Sequence, residues 1–259
     1  MTNSNGLLYP CGLARPPRLT VEGMAYHVLN RRVMRLPLFQ KPGDYEAFQR
    51  IMAQGLRRPD APLLLGWCLM PNHWHLILLP RPSGQGQSRS QSNLSTWMQW
   101  LTVTHTHRWH HHYHNAGQGP LYQGRFKSFP IQEDLHLLMA LRYVEANALR
   151  AKLAERAQEW RWGSLWVRLH GPPEQRAMLG QLPVALPENW TALVNEPQAD
   201  PELNQVRRAV VRGSPLGQPS WVDRVVKLLG LQGTQRPRGR PRKPDQADGN
   251  RIAAAVNSS

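Results

Sequence analysis

Cysteine is scarce in this chain, which argues against a fold held together by disulfides or by a zinc site built from cysteines. The 259 residues include two cysteines, Cys11 and Cys68, which lie far apart in the sequence. A disulfide framework, or a zinc site built from cysteines, would need more of them at closer spacing. The composition therefore favours a protein of the reducing cytoplasm.

Long apolar runs are missing as well. No stretch of the sequence approaches the roughly 18 uninterrupted apolar residues of a membrane-spanning helix. The first residues, MTNSNGLLYPCGL, do not combine a basic segment with a following apolar segment, so no secretory signal is expected. We expect a cytoplasmic protein without a membrane partner.

Acidic residues are few, and this imbalance bears directly on function. Aspartate and glutamate total 17 against 32 lysines and arginines, which gives a formal net charge of +15. Such an excess is not typical of a metabolic enzyme and favours a polyanionic partner, nucleic acid before an acidic membrane surface. The hydrophobic content of 41% is enough for a packed core.

Hydrophobic periodicity and turn residues predict the order β-α-β-β-α-β-α. This is the ferredoxin-like arrangement of an α+β fold, an antiparallel sheet also found in RRM domains, with one added helix. Asp44 is the expected N-cap of the first helix, and Pro71-Asn72 the turn of a hairpin. The predicted strands are 23–33, 63–69, 73–79 and 124–131, and the predicted helices are 45–57, 94–109 and 133–149.

The chain divides into four parts. Residues 1–20 are expected to be an irregular lead-in, 21–155 the main domain, 156–231 a helical extension, and 232–259 a basic disordered tail. The segment RPSGQGQSRSQS, 81–92, predicts a flexible loop. In the extension, EWRWGSLW is expected to clamp a segment onto the core, and two helical patterns flank Gly213-Ser214-Pro215. Those two helices form either a DNA-binding helix-turn-helix or a small docking bundle.

The segment MPNHWHLILLP, 70–80, places two histidines on a hydrophobic strand. Side chains at i and i+2 of a strand face the same way, so His73 and His75 project together while Trp74 and Leu76 point to the opposite face. Two adjacent imidazoles can bind one divalent metal ion with a further ligand from elsewhere. The pair alone also fits a hydrogen-bonded couple at a sheet surface.

The last predicted core helix supplies residues that favour the metal interpretation. In LLMALRYVEANALRA, 137–151, Tyr143 and Asn147 stand at i and i+4 and so share a helical face. If that face packs on the sheet beside the histidines, the Asn147 oxygen is a candidate third ligand. The Tyr143 hydroxyl is then a candidate nucleophile toward a metal-polarised phosphate. Taken alone, Tyr143 is better explained as an aromatic residue of ordinary helix–sheet packing.

Several motifs in order resemble the HUH single-tyrosine transposases, in particular the REP-associated tyrosine transposases of bacteria. The motifs are AYHVLNR (25–31), MPNHWHLIL (70–78), YQGRFKSFPI (122–131), RYVEANALRAKL (142–153) and EWRWGSLW (159–166). The resemblance implies Mg²⁺- or Mn²⁺-dependent cleavage of single-stranded DNA beside a REP-like hairpin, through a 5′-phosphotyrosine intermediate. It assigns His73 and His75 as metal ligands and Tyr143 as the nucleophile, with Asn147 at a position where relatives often carry the longer Gln. It also implies a monomer or homodimer associated with the nucleoid.

Other residues are candidates for DNA contacts. In GRFKSF, Arg125, Lys127 and Phe129 are expected on one strand face, where the two cations would contact phosphates and an aromatic ring could stack on a base. Arg150, one turn beyond Asn147, is either a phosphate contact or a plain surface residue. The histidine-rich segment THTHRWHHHYH, 104–114, is expected to be solvated or to face phosphate. Its Tyr113 is a rival nucleophile.

The segment RPRGRPRKP, 236–244, carries the strongest local charge. Its extended Arg-Gly-Arg-Pro core resembles an AT-hook, which inserts arginines into a narrow minor groove. The alternative is a disordered basic tail that attracts phosphates without sequence preference. The cations concerned are Arg236, Arg238, Arg240, Arg242 and Lys243.

Two other functions compete with a transposase. The same fold could hold hairpin DNA or RNA without catalysis, although no RNP-type aromatic signature of an RRM is present. An HUH replication initiator or relaxase would share the chemistry but usually carries further domains. The histidine pair and Tyr143 argue against the non-catalytic module, and no further domain of an initiator or relaxase is recognised in the sequence, so the transposase is favoured.

Overall fold

The computed structural model describes residues 21, 23–81 and 93–236, with the side chain of Asn93 excepted. The predicted lead-in over 1–20, nearly all of the loop over 81–92 and most of the basic tail lie outside the described residues. Residues 232–236, which the sequence assigned to the tail, are described and include a short 3-10 turn at Gln232–Thr234.

The described strands form one antiparallel sheet in the order β2-β3-β1-β4. The strands are β1 (Ala25–Arg31), β2 (Leu63–Met70), β3 (His73–Leu79) and β4 (Lys127–Ile131). Helix α1 connects β1 to β2, and α2 lies between β3 and β4. This order confirms the predicted α+β, ferredoxin-like arrangement. The predicted turn at Pro71-Asn72 is also confirmed, since β2 and β3 pair across it.

The described helices run from the sheet into a C-terminal extension. No described helix is both long and apolar enough to cross a membrane. The helices are α1 (Pro42–Leu56), α2 (Asn93–His112), α3 (Leu135–Glu145), α4 (Asn147–Arg150), α5 (Ser164–His170), α6 (Pro173–Arg176), α7 (Trp190–Asn195), α8 (Asp200–Arg212) and α9 (Pro219–Leu229).

The sheet separates two hydrophobic clusters. Trp74 and Leu76 pack with residues of α1 and α2 on one face. Ile77 and Phe129 pack with residues of α3 on the other. Alternate residues of a strand enter opposite clusters, so the predicted anchoring role of Trp74 and Leu76 is confirmed, and His75 is left on the α3 face.

Helix α1 begins earlier than predicted, and Asp44 is not its N-cap. The helix starts at Pro42, which its fixed backbone angle suits to a first turn. Asp44 lies at the third helical position instead, where its carboxylate accepts the backbone N–H groups of Gln40 at 2.7 Å and Lys41 at 3.2 Å. The same side chain therefore stabilises the helix start from inside the helix.

Helix α2 extends beyond its predicted end at Trp109 and carries much of the histidine-rich segment. His105 was expected to be solvated or near phosphate, and this was wrong, because it is buried among aromatic side chains. Its Nδ1 lies 2.6 Å from the hydroxyl of Tyr122. Burial lowers the pKa of His105 to about 3, so its ring is neutral and belongs to the core.

The predicted helix over 133–149 is interrupted. Asp134 caps its start by accepting the N–H of His136 at 2.8 Å, and α3 ends at Glu145. Ala146 then leaves helical geometry, with ψ near 1°, before α4 begins at Asn147. Tyr143 and Asn147 consequently lie on two successive helices rather than on one continuous helix.

The C-terminal extension docks onto the sheet. Trp160 Nε1 donates to the carbonyl of Leu69 at 2.9 Å, and the carbonyl of Trp162 accepts the N–H of Leu69 at 3.0 Å. These bonds confirm the predicted tryptophan clamp. Farther along, Leu216 exchanges backbone hydrogen bonds with Pro130 and Gln132 beside β4. Helices α8 and α9 are both present as predicted, with Gly213 in the left-handed region at the end of α8.

Candidate active site

Strands β1 and β3 bring three histidines to the sheet face that α3 covers. In the antiparallel register, Leu29 faces His75 and Arg31 faces His73. His27, two residues before Leu29, is therefore a diagonal neighbour of His75 on the same face. The predicted orientation of His73 and His75 is confirmed by their rings, whose centres lie 5.0 Å apart.

His73 has one ring nitrogen committed to a hydrogen bond. Its Nδ1 lies 2.5 Å from Oδ1 of Asn72, whose Nδ2 donates to the carbonyl of Arg35 at 3.2 Å. The second bond fixes the orientation of the Asn72 amide, so Oδ1 accepts and His73 Nδ1 carries the proton. Burial and nearby Arg31 lower the pKa of His73 to about 4. The ring is therefore neutral at ordinary pH, with its lone pair on Nε2.

His75 is almost fully buried and also has its Nδ1 engaged. That nitrogen lies 2.8 Å from Nε2 of His27, and the two ring centres are 4.9 Å apart. Burial is the main reason why the pKa of His75 lies well below its ordinary value, followed by the proximity of His27 and His73. The pKa of His27 is lowered to about 3, again by burial. Both rings are neutral, as metal-binding histidines and their partners must be.

Helix α3 places Tyr143 over these histidines. The helix packs against β2 and β3, and the Tyr143 ring centre lies 6.2 Å from that of His75 and 6.2 Å from that of His27. Tyr143 is half-buried, whereas its neighbour Val144 is fully buried in the core under the helix. The hydroxyl-bearing side chain is thus held beside the histidines and remains accessible.

Arg150 joins Tyr143 to Asn147 across the helix break. Its guanidinium lies over the Tyr143 ring, 4.1 Å from the ring centre, and also donates to the Tyr143 carbonyl. The same group donates to Oδ1 of Asn147 at 2.9 Å. Asn147 is buried, and its Nδ2 has no hydrogen-bond partner among the described residues. The structure therefore gathers His73, His75, Tyr143, Asn147 and Arg150 around one face.

These side chains offer a divalent ion only part of its coordination shell. The Nδ1 atoms of His73 and His75 are both occupied, so coordination would use their Nε2 atoms, which for His75 requires the tautomer protonated at Nδ1. No group of three His, Cys, Asp or Glu side chains suited to a metal ion occurs within 23–81 and 93–236. A third protein ligand must therefore be another oxygen, and Oδ1 of Asn147 keeps a second lone pair beside its bond to Arg150. Water and substrate oxygens would complete an octahedral ion.

A buried carboxylate fixes the orientation of α3. Glu145 accepts hydrogen bonds from Ser164 Oγ at 2.6 Å and Trp190 Nε1 at 2.7 Å, and it forms an ion pair with Arg168 at 3.2 Å. The partners belong to α5 and α7. The C-terminal extension thus anchors the helix that carries Tyr143, and removal of any one partner would leave a buried charge less well satisfied.

The prediction that Arg125, Lys127 and Phe129 share one accessible strand face is only partly confirmed. Arg125 precedes β4 and is exposed, so it does not share a strand face with Lys127. Lys127 is exposed and pairs with Leu29, in the same row as His75. Phe129 is buried against the His27 ring, 4.9 Å between centres, and is therefore not available to stack on a base.

Tyr113, the rival nucleophile, lies away from the histidine pair. Its hydroxyl donates to Oδ2 of Asp44 at 2.6 Å, between α1 and the end of α2 on the opposite face of the sheet. Arg236 is exposed at the end of the described chain. The remaining cations of the tail, Arg238, Arg240, Arg242 and Lys243, lie outside the described residues.

Sequence reasoning missed His27 and Asn72, the partners of the two histidines. The alternation in AYHVLNR gives the face of His27 within its own strand, but the contact with His75 spans 48 residues and depends on the register between strands. Asn72 was recognised as a turn residue. Its position directly before His73 was the available signal for a side-chain bond.

Comparison with known proteins places the chain in a family. No curated protein sequence is significantly similar to it. Among solved structures, it resembles one described as a REP-associated tyrosine transposase bound to a REP hairpin, with 18% identity over 63% of this chain and 90% of that one, and a TM-score of 0.47. Residues 20–147 match the family described as "Transposase IS200 like". Through these residues, which carry the histidine pair and Tyr143, the chain belongs to the IS200-like transposase family.

Proposed function

We propose that this protein nicks and joins single-stranded DNA beside hairpin-forming repeats, with Tyr143 as the nucleophile. The observation that carries the proposal is the position of Tyr143, whose ring centre lies 6.2 Å from that of His75 on the sheet face that also carries His73. Membership of a transposase family supports the same reaction class.

The covalent step is a transesterification. The Tyr143 oxygen forms a bond to phosphorus while the bond from phosphorus to the 3′-oxygen breaks. The phenol proton is lost to water and the departing 3′-oxygen gains one. The product is a 5′-phosphotyrosine with a free 3′-hydroxyl, and because one phosphodiester replaces another, joining is the reverse step.

His73 and His75 would hold a divalent ion, Mg²⁺ or Mn²⁺, through their Nε2 atoms, with Asn147 Oδ1 as a third ligand. Such an ion would polarise a phosphate oxygen and stabilise the charge that develops on it. Arg150, over the Tyr143 ring at 4.1 Å, orients the nucleophile and adds positive charge beside the phosphate. Two imidazoles in the ligand set favour Mn²⁺ over Mg²⁺, since nitrogen ligands suit transition ions better.

DNA would approach along exposed cations near this face. Lys127 lies in the same cross-strand row as His75, and Arg125 precedes it in an exposed loop. The net charge of +15 supplies general attraction to phosphate. Recognition of a hairpin rests on the sequence resemblance alone.

The experiment is a covalent-adduct assay with the full chain, Mn²⁺ or Mg²⁺, and single-stranded hairpin oligonucleotides from the flanks of its coding region. We expect an adduct whose mass identifies a peptide containing Tyr143. Tyr143→Phe should form none and should still bind the hairpin. Tyr45→Phe, a matched change on the opposite face of the sheet, should react as the parent does.

His73→Ala should lose adduct formation in the same assay, and the loss should not be reversed by more DNA. An adduct in Tyr143→Phe would mean that another residue is the nucleophile. Hairpin binding by the parent with no adduct under any metal condition would instead support the non-catalytic binding module.

A further inference from the structure

His27 stands where it decides which nitrogen of His75 can reach a metal ion. A neutral imidazole has one N–H and one lone pair, and only the lone pair coordinates. His27 Nε2 lies 2.8 Å from His75 Nδ1 in the buried part of the site. If His75 Nδ1 carries the proton and donates it to His27, then Nε2 of His75 keeps its lone pair. In the reverse arrangement, Nε2 of His75 is protonated and does not coordinate.

We propose that His27 is a positioning residue that accepts the Nδ1–H of His75 and holds that ring in the metal-binding tautomer. This inference rests on the proposed function. Asn72 provides a parallel, because its Oδ1 accepts the Nδ1–H of His73 at 2.5 Å and leaves Nε2 free. The two ligands of one ion thus receive the same tautomer from two different acceptors.

The surroundings of His27 allow this role. Its Nδ1 has no hydrogen-bond partner within the described residues, so nothing there opposes a proton on Nδ1 and a lone pair on Nε2. Its ring is wedged against Phe129, with centres 4.9 Å apart, and is fully buried. A buried polar nitrogen without a partner is unfavourable, and a functional role is one explanation for such a group in a folded protein.

The substitutions that separate the hydrogen bond from packing are His27→Phe and His27→Gln. Phenylalanine fills the space but has no acceptor, whereas the Gln amide oxygen reaches about as far as the imidazole Nε2. Mn²⁺ affinity is measured without DNA, from the free-ion signal in electron paramagnetic resonance. We expect His27→Phe to bind Mn²⁺ about 10- to 100-fold more weakly, and His27→Gln to recover most of the loss.

A second readout reports the tautomer directly. The ¹⁵N shifts of His75, assigned by comparison with His75→Gln, should show a protonated Nδ1 in the parent and a change toward a protonated Nε2 in His27→Phe. Parent-like Mn²⁺ affinity in His27→Phe, or equal loss in His27→Phe and His27→Gln, would overturn the role of the hydrogen bond. Failure of the metal site itself is a separate result: His73→Ala would then bind Mn²⁺ as the parent does.

A cavity on the opposite face of the sheet carries an independent inference. It lies between α1 and α2, has a volume of about 290 Å³, and is lined on one wall by Trp109 and Tyr113. Exposed cations surround its mouth, namely Lys41, Arg50 and Arg108. Pockets that combine aromatic walls with cations suit nucleotides, because the base packs on a ring and the phosphate meets the charge.

The positive charge at this mouth is not neutralised within the described protein. None of its three main cations takes part in an ion pair among the residues described. Arg108 donates to Gln54 Oε1 at 2.9 Å, which leaves its charge intact. Asp44 is the acidic residue lining the cavity, and its Oδ2 is occupied by the Tyr113 hydroxyl and two backbone N–H groups.

We infer that this cavity binds a phosphate of single-stranded DNA and its adjoining base, apart from the Tyr143 site. The probe is fluorescein-labelled oligothymidylate, which forms no hairpin, and its affinity is measured by anisotropy over a range of salt concentrations in EDTA. For Arg50→Gln/Arg108→Gln we expect weaker binding and a salt slope lower by about 0.7, the value for one lost phosphate contact on a single strand.

Arg57→Gln is the matched control, since Arg57 is exposed at the end of α1 and does not line the cavity. It should bind as the parent does. A 5-iodouracil-containing oligonucleotide should crosslink to the peptide that contains Trp109 and Tyr113. A double variant with the affinity and salt slope of Arg57→Gln, or crosslinks confined to other peptides, would overturn the site. Because EDTA removes metal, neither result depends on the reaction at Tyr143.

Discussion

The guanidinium of Arg150 donates to Oδ1 of Asn147 at 2.9 Å while it lies over the ring of Tyr143. One side chain thereby connects the proposed nucleophile to the proposed third metal ligand across the break at Ala146. Its influence extends to His75, since the charge of Arg150 is among the causes that lower the pKa of His75. Arg150 is therefore part of the site and not a plain surface arginine.

Replacement of Arg150 should slow the chemical step more than it weakens DNA binding. Arg150→Gln removes a charged hydrogen bond and a cation–π contact, together worth about 1.5–3 kcal/mol, or roughly a tenfold to hundredfold loss of rate. Arg150→Lys keeps the charge but not the fork of donors, so an intermediate rate is expected. Single-turnover adduct formation at saturating oligonucleotide measures the effect. A rate for Arg150→Gln equal to that of the parent would remove Arg150 from the site.

Local periodicity was enough to predict part of this site and not the rest. The shared face of His73 and His75 follows from the two-residue repeat of a strand, which needs no tertiary information. The contact between His27 and His75 depends on how β1 pairs with β3, and many registers are compatible with those apolar sequences. Phe129 was expected on an accessible face of β4 but is buried. The sequence of the strand does not show which of its faces is covered by α3, the helix that carries Tyr143.

The break at Ala146 illustrates a second limit. Most of RYVEANALRA favours a continuous helix, since Ala, Leu and Arg are good helix formers and Asn147 is a weaker one. Glu145, the last residue of α3, is buried and bound to Ser164, Arg168 and Trp190. These partners come from the C-terminal extension. Tertiary contacts of this kind are not visible in the sequence of the helix.

The close approach of α3 to the sheet predicts that Gly66 does not tolerate a side chain. A Cβ at this position would lie 2.3 Å from Cδ1 of Leu141 and 3.1 Å from Oγ of Ser164. Gly66→Ala should therefore lower the free energy of unfolding by about 1–3 kcal/mol, as overpacking of a core does. Urea denaturation followed by fluorescence measures the change.

Gly43→Ala is the matched control, because a Cβ there would have no heavy atom within 4 Å. Gly43 lies in the first turn of α1, where alanine should be neutral or stabilising by up to about 1 kcal/mol. Equal stability of Gly66→Ala and Gly43→Ala would show that α3 can move away from β2 at little cost.

Buried His105 predicts a loss of stability in mild acid. The unfolded chain takes up a proton on histidine near pH 6.5, whereas burial lowers the folded pKa of His105 to about 3. Between these values the unfolded state binds more protons, so the free energy of unfolding falls as the pH falls below about 6.5 and is flat above it. The effect of one such shift is several kcal/mol, of the order of 1.4 per pKa unit.

His105→Gln tests this assignment because Gln keeps a polar group near the Tyr122 hydroxyl but does not titrate. The variant should be less stable than the parent at about pH 7 and should lose less stability toward about pH 4. His27 and His75 titrate in both proteins and cancel in the comparison. Denaturant midpoints measured over this range would contradict the prediction if the two curves ran parallel.

The basic tail should act mainly through counterion release. Deletion of residues 237–259 removes Arg238, Arg240, Arg242 and Lys243, together with the more distant Arg251, but retains Arg236. If all four cations contact duplex phosphates, the slope of log affinity against log salt should fall by about 3–4, at roughly 0.9 per contact. Replacing the same four residues with Gln in the full chain controls for length.

An A·T-rich and a G·C-rich duplex of equal length separate the two interpretations of the tail. If the tail is an AT-hook, both variants should lose more affinity for the A·T-rich duplex, because the arginines of an AT-hook enter the narrow minor groove. If the tail is non-specific, the variants should lose the same affinity for both duplexes. An unchanged slope in both variants would show that the tail does not contact DNA.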